Sequence, residues 1–325
     1  MTDTAAVETV VVIPARNEAQ RISACLDMLA PQAHGVPIVL VVNDTVDDTA
    51  GVARRIASER ALILDVIECR LQDGQGVGGA RRIGCAAAIG RHPHLRHLLT
   101  TDADCLVAPI WVARSLDHLR NVAAVCGKIG VIEAESAPLA GIAPGPASLE
   151  GRYRDLVLRW YARVSPEPCN PWPHHGEVPG ASLGIRVAAY TDVGGFRDIA
   201  NGEDRDLVHR LKCAGHDVRH ADDVEVRASC RLVGRAPDGM SEALRARIAG
   251  EDYFCDATLP RSDWLLARTR SSDLGPWPPR TSKESRLRVS ELPQEIAAIE
   301  AGLQLLDSAA TRQGRDDAFK QAHRP

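Results

Sequence analysis

Leu98-Leu99-Thr100-Thr101-Asp102-Ala103-Asp104-Cys105 joins an apolar run to a pair of acids. His97–Thr101 has the composition of a strand that ends inside a core, and Asp102 and Asp104 follow it one residue apart. In extended backbone, residues two apart face the same side. The spacing therefore predicts that both carboxylates converge at the C-terminal edge of the strand, the edge at which open α/β sheets bind ligands. A carboxylate pair there suits a hard divalent cation, which takes oxygen ligands and keeps positions for phosphate oxygens. The plainer alternative is a turn carrying two solvated acids, since Asp-x-Asp is a common pairing.

Outward from this segment, β-branched runs alternate with helical periodicity. Thr9–Ile13, Ile38–Val42 and Ala61–Ile67 read as buried parallel strands. Ile22, Leu26 and Leu29 fall at i, i+4 and i+7, the apolar stripe of a helix. A second helix is predicted at 48–59, with Thr45 or Asp47 available to cap it, and a third at Ala80–Gly90. Pro109–Leu119, Ser148–Val164 and Glu203–Ala214 read as later helices. Val122–Val131, part of 181–190, Asp217–His220 and Val224–Ala228 read as strands. The alternation predicts an α/β fold: a mostly parallel central sheet with helices on both faces. Beyond it come helical stretches at 239–252 and 260–268, a GPWPP linker at Gly275–Pro279, and a final helix with Ile296, Ile299, Leu303 and Leu306 inward. The organisation expected is a first domain over 1–235, a helical extension over 236–312 and a disordered tail over 313–325.

Composition narrows the class. With 45% hydrophobic and 25% charged residues, the 325-residue chain has the make-up of an ordinary globular protein. A net charge of −4 argues against a nucleic-acid partner. Nine scattered cysteines form no Cys-x-x-Cys pair, which disfavours zinc ribbons and thioredoxin chemistry. The odd count and the lack of a signal peptide favour a reducing, cytoplasmic location. No run of 18 apolar residues occurs, so no membrane span is expected.

Three further features carry candidate chemistry. DGQGVGGARRIG, from Asp73 to Gly84, lacks the Lys-Ser/Thr of a phosphate-binding P-loop and follows the third strand rather than the first. Its glycines, Gly79 among them, either permit tight turning or turn backbone N–H groups and a helix N-terminus to a diphosphate, with Arg81 or Arg82 close by. In Asn201-Gly202-Glu203-Asp204, Asp204 precedes Leu207, Val208 and Leu211 by three, four and seven residues and shares their inward face. An inward carboxylate in a first helical turn serves either as a cap on the helix dipole or as a general base. His174 and His175, in a Pro-rich loop before Gly180-Ala181-Ser182, are candidates for a metal or an acceptor.

Taken in order, PARNE, VVNDTVDDT, DGQGVGGARRIG, TTDADC, VPGASLGIR…GGF and NGEDRDLVHRL resemble the family 2 glycosyltransferases of the GT-A fold, over about residues 8–235. The resemblance implies an enzyme that moves a sugar from a nucleotide-diphospho-sugar donor, UDP- or GDP-linked, to a small-molecule, glycan or lipid hydroxyl. It implies that Pro14, Ala15, Arg16 and Glu18 form the first nucleotide-binding loop, and that Asp44 and Asp47 face the base and ribose. Asp102 then faces the ribose and sugar, while Asp104, with Asp102, holds Mn²⁺ or Mg²⁺ against the diphosphate. Gly180, Ala181 and Ser182 line the donor sugar. Asp204, with Glu203 beside it, is the catalytic base of an inverting transfer.

Asn43 and Thr45 depart from the usual second loop. The region after the last short strands has no histidine to complete the metal shell, and Arg231 or Arg235 is left to assist the diphosphate. The Gln-x-x-Arg-Trp of processive synthases is missing, which favours a single transfer. The competing classes are a sugar-nucleotide pyrophosphorylase, for which PARNE is a poor loop, a non-catalytic sugar-nucleotide-binding protein, and a retaining transferase. A homodimer is compatible with all of them.

Overall fold

The computed structural model describes residues 6–142, 148–234 and 240–322. The chain divides into two compact units, Met1–Ala140 with His174–Ala249, and Gly141–Pro173 with Gly250–Pro325.

The first unit opens with β1 (Thr9–Ala15), α1 (Ile22–Leu29), β2 (Ile38–Asn43), α2 (Thr49–Glu59), β3 (Leu64–Cys69), α3 (Gly76–Arg91), β4 (His97–Thr100), β5 (Cys105–Val107), α4 (Trp111–Leu119) and β6 (Ala124–Val131). After α5 (Leu149–Val164), which belongs to the second unit, it resumes with β7 (Leu183–Arg186), α6 (Val187–Asp192), α7 (Glu203–Cys213), β8 (Val218–Ala228) and α8 (Met240–Ala249). Eight strands form one sheet in the order β3-β2-β1-β4-β7-β6-β8-β5. β3, β2, β1 and β4 run parallel, as do β6 and β8. β7 is antiparallel to both of its neighbours, and β5 is antiparallel to β8. The mostly parallel sheet expected from the sequence is thus present.

Both faces of the sheet are covered, and β1 shows why its sequence lacks polar alternation. Val11 and Ile13 pack on one side with Leu26, Leu40 and Trp111. Val10 and Val12 pack on the other with Val39, Val41 and Ala88. Its partner β4 ends at Thr100, so the chain emerges at Asp102 at the C-terminal edge of the parallel half.

Several boundaries differ from the sequence pattern. Ala61 has φ +53°, a left-handed turn conformation, and the third strand starts at Leu64. The two short strands expected at 217–228 form one, β8, whose pairing with β6 jumps from Gly127–Ala221 to Lys128–Glu225, so residues 222–224 are inserted at the point where the break was expected. A side chain at Gly127 would run into the Val224 carbonyl and the Ser182 hydroxyl. The glycines expected in a loop before 80 form the first turn of α3 instead, starting at Gly76.

The second unit packs α5 with α9 (Ser262–Arg270) and α10 (Leu292–Ala322). Tyr153, Val157, Trp160, Leu265, Leu292 and Ile299 share its core. The sequence groups α5 with the first domain, yet its apolar face lies in this second core. The stretch expected to be a linker is also core: Trp277 is 3% exposed and meets Tyr161 edge-on, with centroids 5.6 Å apart. Gly302 of α10 leaves room for Trp160, whose ring atoms would lie 2.5 and 2.8 Å from an added Cβ. α10 continues as helix to Ala322, through most of the segment expected to be a tail. Among the described residues, no helix is long and apolar enough to cross a membrane.

Candidate active site

The acids at the end of β4 converge through a turn rather than through extended backbone. Cys105 N–H donates to the Asp102 carbonyl at 3.0 Å and closes the turn. The carboxylates of Asp102 and Asp104 and the Cys105 thiol bring one atom each within 4.8 Å of one another. Among the described residues, this is the one such group of three His, Cys, Asp or Glu side chains. Burial, and then the two aspartates, push the Cys105 thiol well up, so it stays a neutral thiol. The donors available to a hard cation are therefore the two carboxylates. Burial and then Asp102 push the Asp104 carboxyl up, against the pull of Arg231 and Arg21.

Each aspartate is paired with an arginine, and each arginine with a buried glutamate. Arg81 Nη2 lies 2.5 Å from Asp102 Oδ1, and its Nη1 pairs with Glu203 Oε1. The Arg81 side chain is 4% exposed and that of Glu203 3%. Burial works against the Arg81 charge, but Asp102, Glu203 and Asp204 outweigh it. For Glu203, burial is the larger influence and pushes the carboxyl up, with Arg81 opposing. On the other aspartate, Arg231 Nη2 lies 2.9 Å from Asp104 Oδ2, and Arg231 Nη1 lies 2.7 Å from Glu18 Oε1. Arg81 is thus engaged between carboxylates instead of standing free at a helix N-terminus, and Arg82 pairs with Asp198 at 2.8 Å.

Gly180 links this cluster to α7. Its N–H donates to Asp204 Oδ2 at 2.8 Å, and its carbonyl accepts from Thr100 Oγ1 at 2.5 Å. Glycine is required here because an added Cβ would lie 2.5 Å from Arg81 Cζ. Asp204 Oδ1 accepts from Arg205 N–H at 2.7 Å. Its carboxylate is therefore oriented by two backbone amides in the first turn of a helix that starts after Gly202, φ +78°. Ala181 is half-buried. Ser182 is fully buried, and its Oγ accepts from Trp111 Nε1 at 3.1 Å, so that hydroxyl is committed inside the core.

The first two loops are tied together. Asn17, at φ +54°, donates its N–H to Thr45 Oγ1 at 3.2 Å and accepts from Val46 N–H at 2.8 Å. Asp47 accepts from Ala19 and Thr49 N–H groups, both at 3.1 Å, which ties the loops together, while the N-cap position of α2 is held by Asp48 rather than by the expected Thr45 or Asp47. Asp44, at φ +46° and half-buried, accepts from Leu71 N–H at 3.3 Å. Pro14 and Ala15 close β1 in the core, and Arg16 is exposed. Gly79 faces Gln75 of its own helix, whereas Gly78 would place a Cβ 2.8 Å from Glu203 Cβ. The glycines therefore let α3 approach the start of α7. Arg235 lies outside the described residues.

His174 and His175 pack on His220, at centroid distances of 5.0 and 5.7 Å. His175 Nδ1 accepts from Glu177 N–H at 3.0 Å and Glu177 Oε2 accepts from Ile129 N–H at 3.2 Å, so this cluster shapes the chain leading into Gly180. The buried Arg81–Glu203 and Arg231–Glu18 pairs escaped the sequence reading. A signal for the first was available: Arg81 stands three, four and seven residues before Gly84, Cys85 and Ala88, on the buried stripe of α3, and a cation there requires a buried partner.

Residues 10–156 match the model of the family described as Glycosyl transferase family 2. Over these residues the chain is similar to family 2 glycosyltransferases. A curated relative, the Dolichyl-phosphate beta-glucosyltransferase of Drosophila melanogaster, is 35% identical over 115 residues, 31% of this chain and 32% of that protein. The match thus spans about a third of that relative's length. Among solved structures, S. aureus TarS 1–349 in complex with UDP-GlcNAc is similar, with TM-score 0.52 and 15% identity, covering 81% of this chain and 72% of that one. The mannosyltransferase PcManGT from Pyrobaculum calidifontis, in complex with GDP-Man and Mn²⁺, gives TM-score 0.52 and 18% identity, covering 98% and 81%. The chain therefore has the GT-A fold, and the paired aspartates lie at the C-terminal edge of its parallel strands.

Proposed function

We propose that this glycosyltransferase moves a sugar from a UDP- or GDP-linked donor to a hydroxyl acceptor with inversion, using Asp102 and Asp104 for a divalent cation and Asp204 as the base. The observation that carries the reading is the joining of two carboxylate sites through one glycine. Gly180 N–H orients Asp204 at 2.8 Å, and Gly180 packs on the Arg81 that binds Asp102. Solved relatives of the same fold were captured with UDP-GlcNAc and with GDP-Man and Mn²⁺, which supports a nucleotide-sugar donor.

Two converging carboxylates with a neutral thiol behind them fit Mn²⁺ or Mg²⁺ shared with a diphosphate. Such an ion, when bound, neutralises the leaving diphosphate. The chain's own contribution is positioning and proton removal. Asp204 is held by two N–H donors, and a carboxylate has lone pairs left for the acceptor proton. In this reading Asp44 and the tied loops around Asn17 and Thr45 receive the nucleoside. Glu203 sits on Arg81 in the interior, so its part is to hold that arginine rather than to touch the acceptor.

The test is nucleotide release and product configuration with UDP- and GDP-sugars in the presence of Mn²⁺. Asp204→Asn should lower transfer at least about 100-fold while donor binding persists, the usual scale for loss of a general base. Undiminished transfer by Asp204→Asn overturns the base. It would instead favour an acceptor that is already ionised, such as the lipid phosphate in the name of the Drosophila relative. Donor binding with no transfer to any acceptor would favour the non-catalytic reading, and formation of nucleotide sugar from a sugar phosphate the pyrophosphorylase.

A further inference from the structure

The two aspartates differ in how tightly their arginines are confined. Arg81 is enclosed, at 4% exposure, between Asp102 and Glu203. Arg231 lies at the rim, its side chain 20% exposed, just beyond the end of β8. Its backbone is fixed nonetheless. Ser229 Oγ donates to Glu135 Oε2 at 2.7 Å, Cys230 N–H donates to the same oxygen at 3.2 Å, and Arg231 N–H donates to Ser229 Oγ at 3.2 Å. From that turn, the guanidinium reaches Glu18 with Nη1 and Asp104 with Nη2. One oxygen of the Asp104 carboxylate, Oδ2, is therefore already paired with a cationic side chain.

Building on the nucleotide-sugar reading above, we propose that Arg231 is an exchangeable counter-ion of Asp104. Its Nη2 gives up Asp104 when a divalent cation and a nucleoside diphosphate bind. Its guanidinium, still anchored on Glu18, then takes a diphosphate oxygen. Charge supports the exchange. The cluster of Glu18, Asp102, Asp104 and Glu203 is offset by Arg81 and Arg231. A cation entering alone leaves Arg231 without its second carboxylate. A diphosphate entering with it supplies the replacement, and arginine's fork suits phosphate oxygens. Metal and diphosphate consequently bind with positive coupling, and linkage makes that coupling reciprocal.

The experiment measures Mn²⁺ binding by the EPR signal of the free ion, with and without UDP and GDP, corrected for Mn²⁺–nucleotide association in solution. In the wild type, saturating nucleotide should tighten Mn²⁺ binding by about tenfold or more, within the usual range of coupled sites. Arg231→Gln should bind Mn²⁺ alone about fivefold or more tighter than wild type and lose most of the coupling. Because Arg231→Gln removes an ion-pair partner of the buried Glu18, the double variant Glu18→Gln/Arg231→Gln is measured beside it and should behave alike. Arg21→Gln removes a nearby charge that is paired with Glu135 rather than Asp104 and should move Mn²⁺ affinity far less; an equal effect reduces Arg231 to bulk charge and overturns the proposal. If Asp104→Asn abolishes Mn²⁺ binding while both Arg231 variants keep wild-type affinity and coupling, the proposal fails and the nucleotide-sugar reading stands. If neither nucleotide nor Asp104 affects Mn²⁺ binding in the wild type, both fail.

Discussion

Replacing Arg81 with methionine is the sharpest test of how the site is built. The substitution removes one cation and leaves two carboxylates. Asp102 is 32% exposed and can be rehydrated, whereas Glu203 is 3% exposed and cannot. The cost is therefore set by Glu203: an uncompensated buried charge after loss of its partner is worth about 3–5 kcal/mol. At about 2–4 °C per kcal/mol for a domain of this size, the melting temperature should fall by roughly 6–20 °C. Arg81→Met/Glu203→Met removes both charges and should recover most of the loss, giving a coupling energy of at least about 2 kcal/mol. The pH dependence has a definite sign. Burial already pushes the Glu203 carboxyl up, and loss of Arg81 removes a downward pull. The folded variant then binds a proton that the unfolded chain releases, so its stability falls as pH rises from about 5 to 8, and more steeply than in the wild type. Urea unfolding at pH 5.5 and 8.0, followed by far-UV circular dichroism, measures all four corners of the cycle. A loss below about 1 kcal/mol at pH 8, or strictly additive single variants, would refute the enclosed bridge.

Gly180→Ala places a Cβ 2.5 Å from Arg81 Cζ, whose guanidinium is pinned at both ends, and overpacking of that kind costs about 1–3 kcal/mol; unfolding midpoints and sugar transfer should both decline. Burial pushes His174 down to about 4 and lowers His175 and His220 as well. The unfolded imidazoles thus take protons near pH 6.5 that the folded ones refuse, so stability should drop as pH falls from about 6.5 toward 4; replacing His174 with asparagine should flatten that slope in a melting series. In the second unit, Trp277→Ala opens a cavity worth about 3–5 kcal/mol, and hydrogen exchange should report loss of protection along α5 and α10.

The parts of the fold legible beforehand were those in which neighbouring residues carry the signal. β1 and β2 are uninterrupted apolar runs because both their faces are covered, and periodicity alone finds them. The spacing of Asp204 from Leu207, Val208 and Leu211 pointed to an inward carboxylate at the start of α7; the buried one is its neighbour Glu203, and Asp204 is half-buried against Gly180 N–H. Features that depend on distant partners were hidden. Arg81 and Glu203 are far apart in sequence, as are Arg231 and Glu18, and nothing local says that they meet. Pro-rich composition suggested a linker at 275–279, but prolines that stiffen a loop can equally hold an aromatic inward, as Trp277 is held. The acids of the Asp-x-Asp pair were placed at the correct edge for an incomplete reason: a turn closed by Cys105 N–H, not strand pleating, gathers them.

The second unit is assembled from two separated stretches, 141–173 and 250–325, with most of the strand order of the first unit already laid down before α5 begins. During synthesis, α5 therefore leaves the ribosome with Tyr153, Val157 and Trp160 uncovered, and it waits for α9 and α10 to arrive. A chain stopped at Ala249 would never receive that cover. It would retain every acid and arginine described above yet carry a permanently bare aromatic stripe, and such a truncation should reach solution as aggregates rather than as a minimal enzyme.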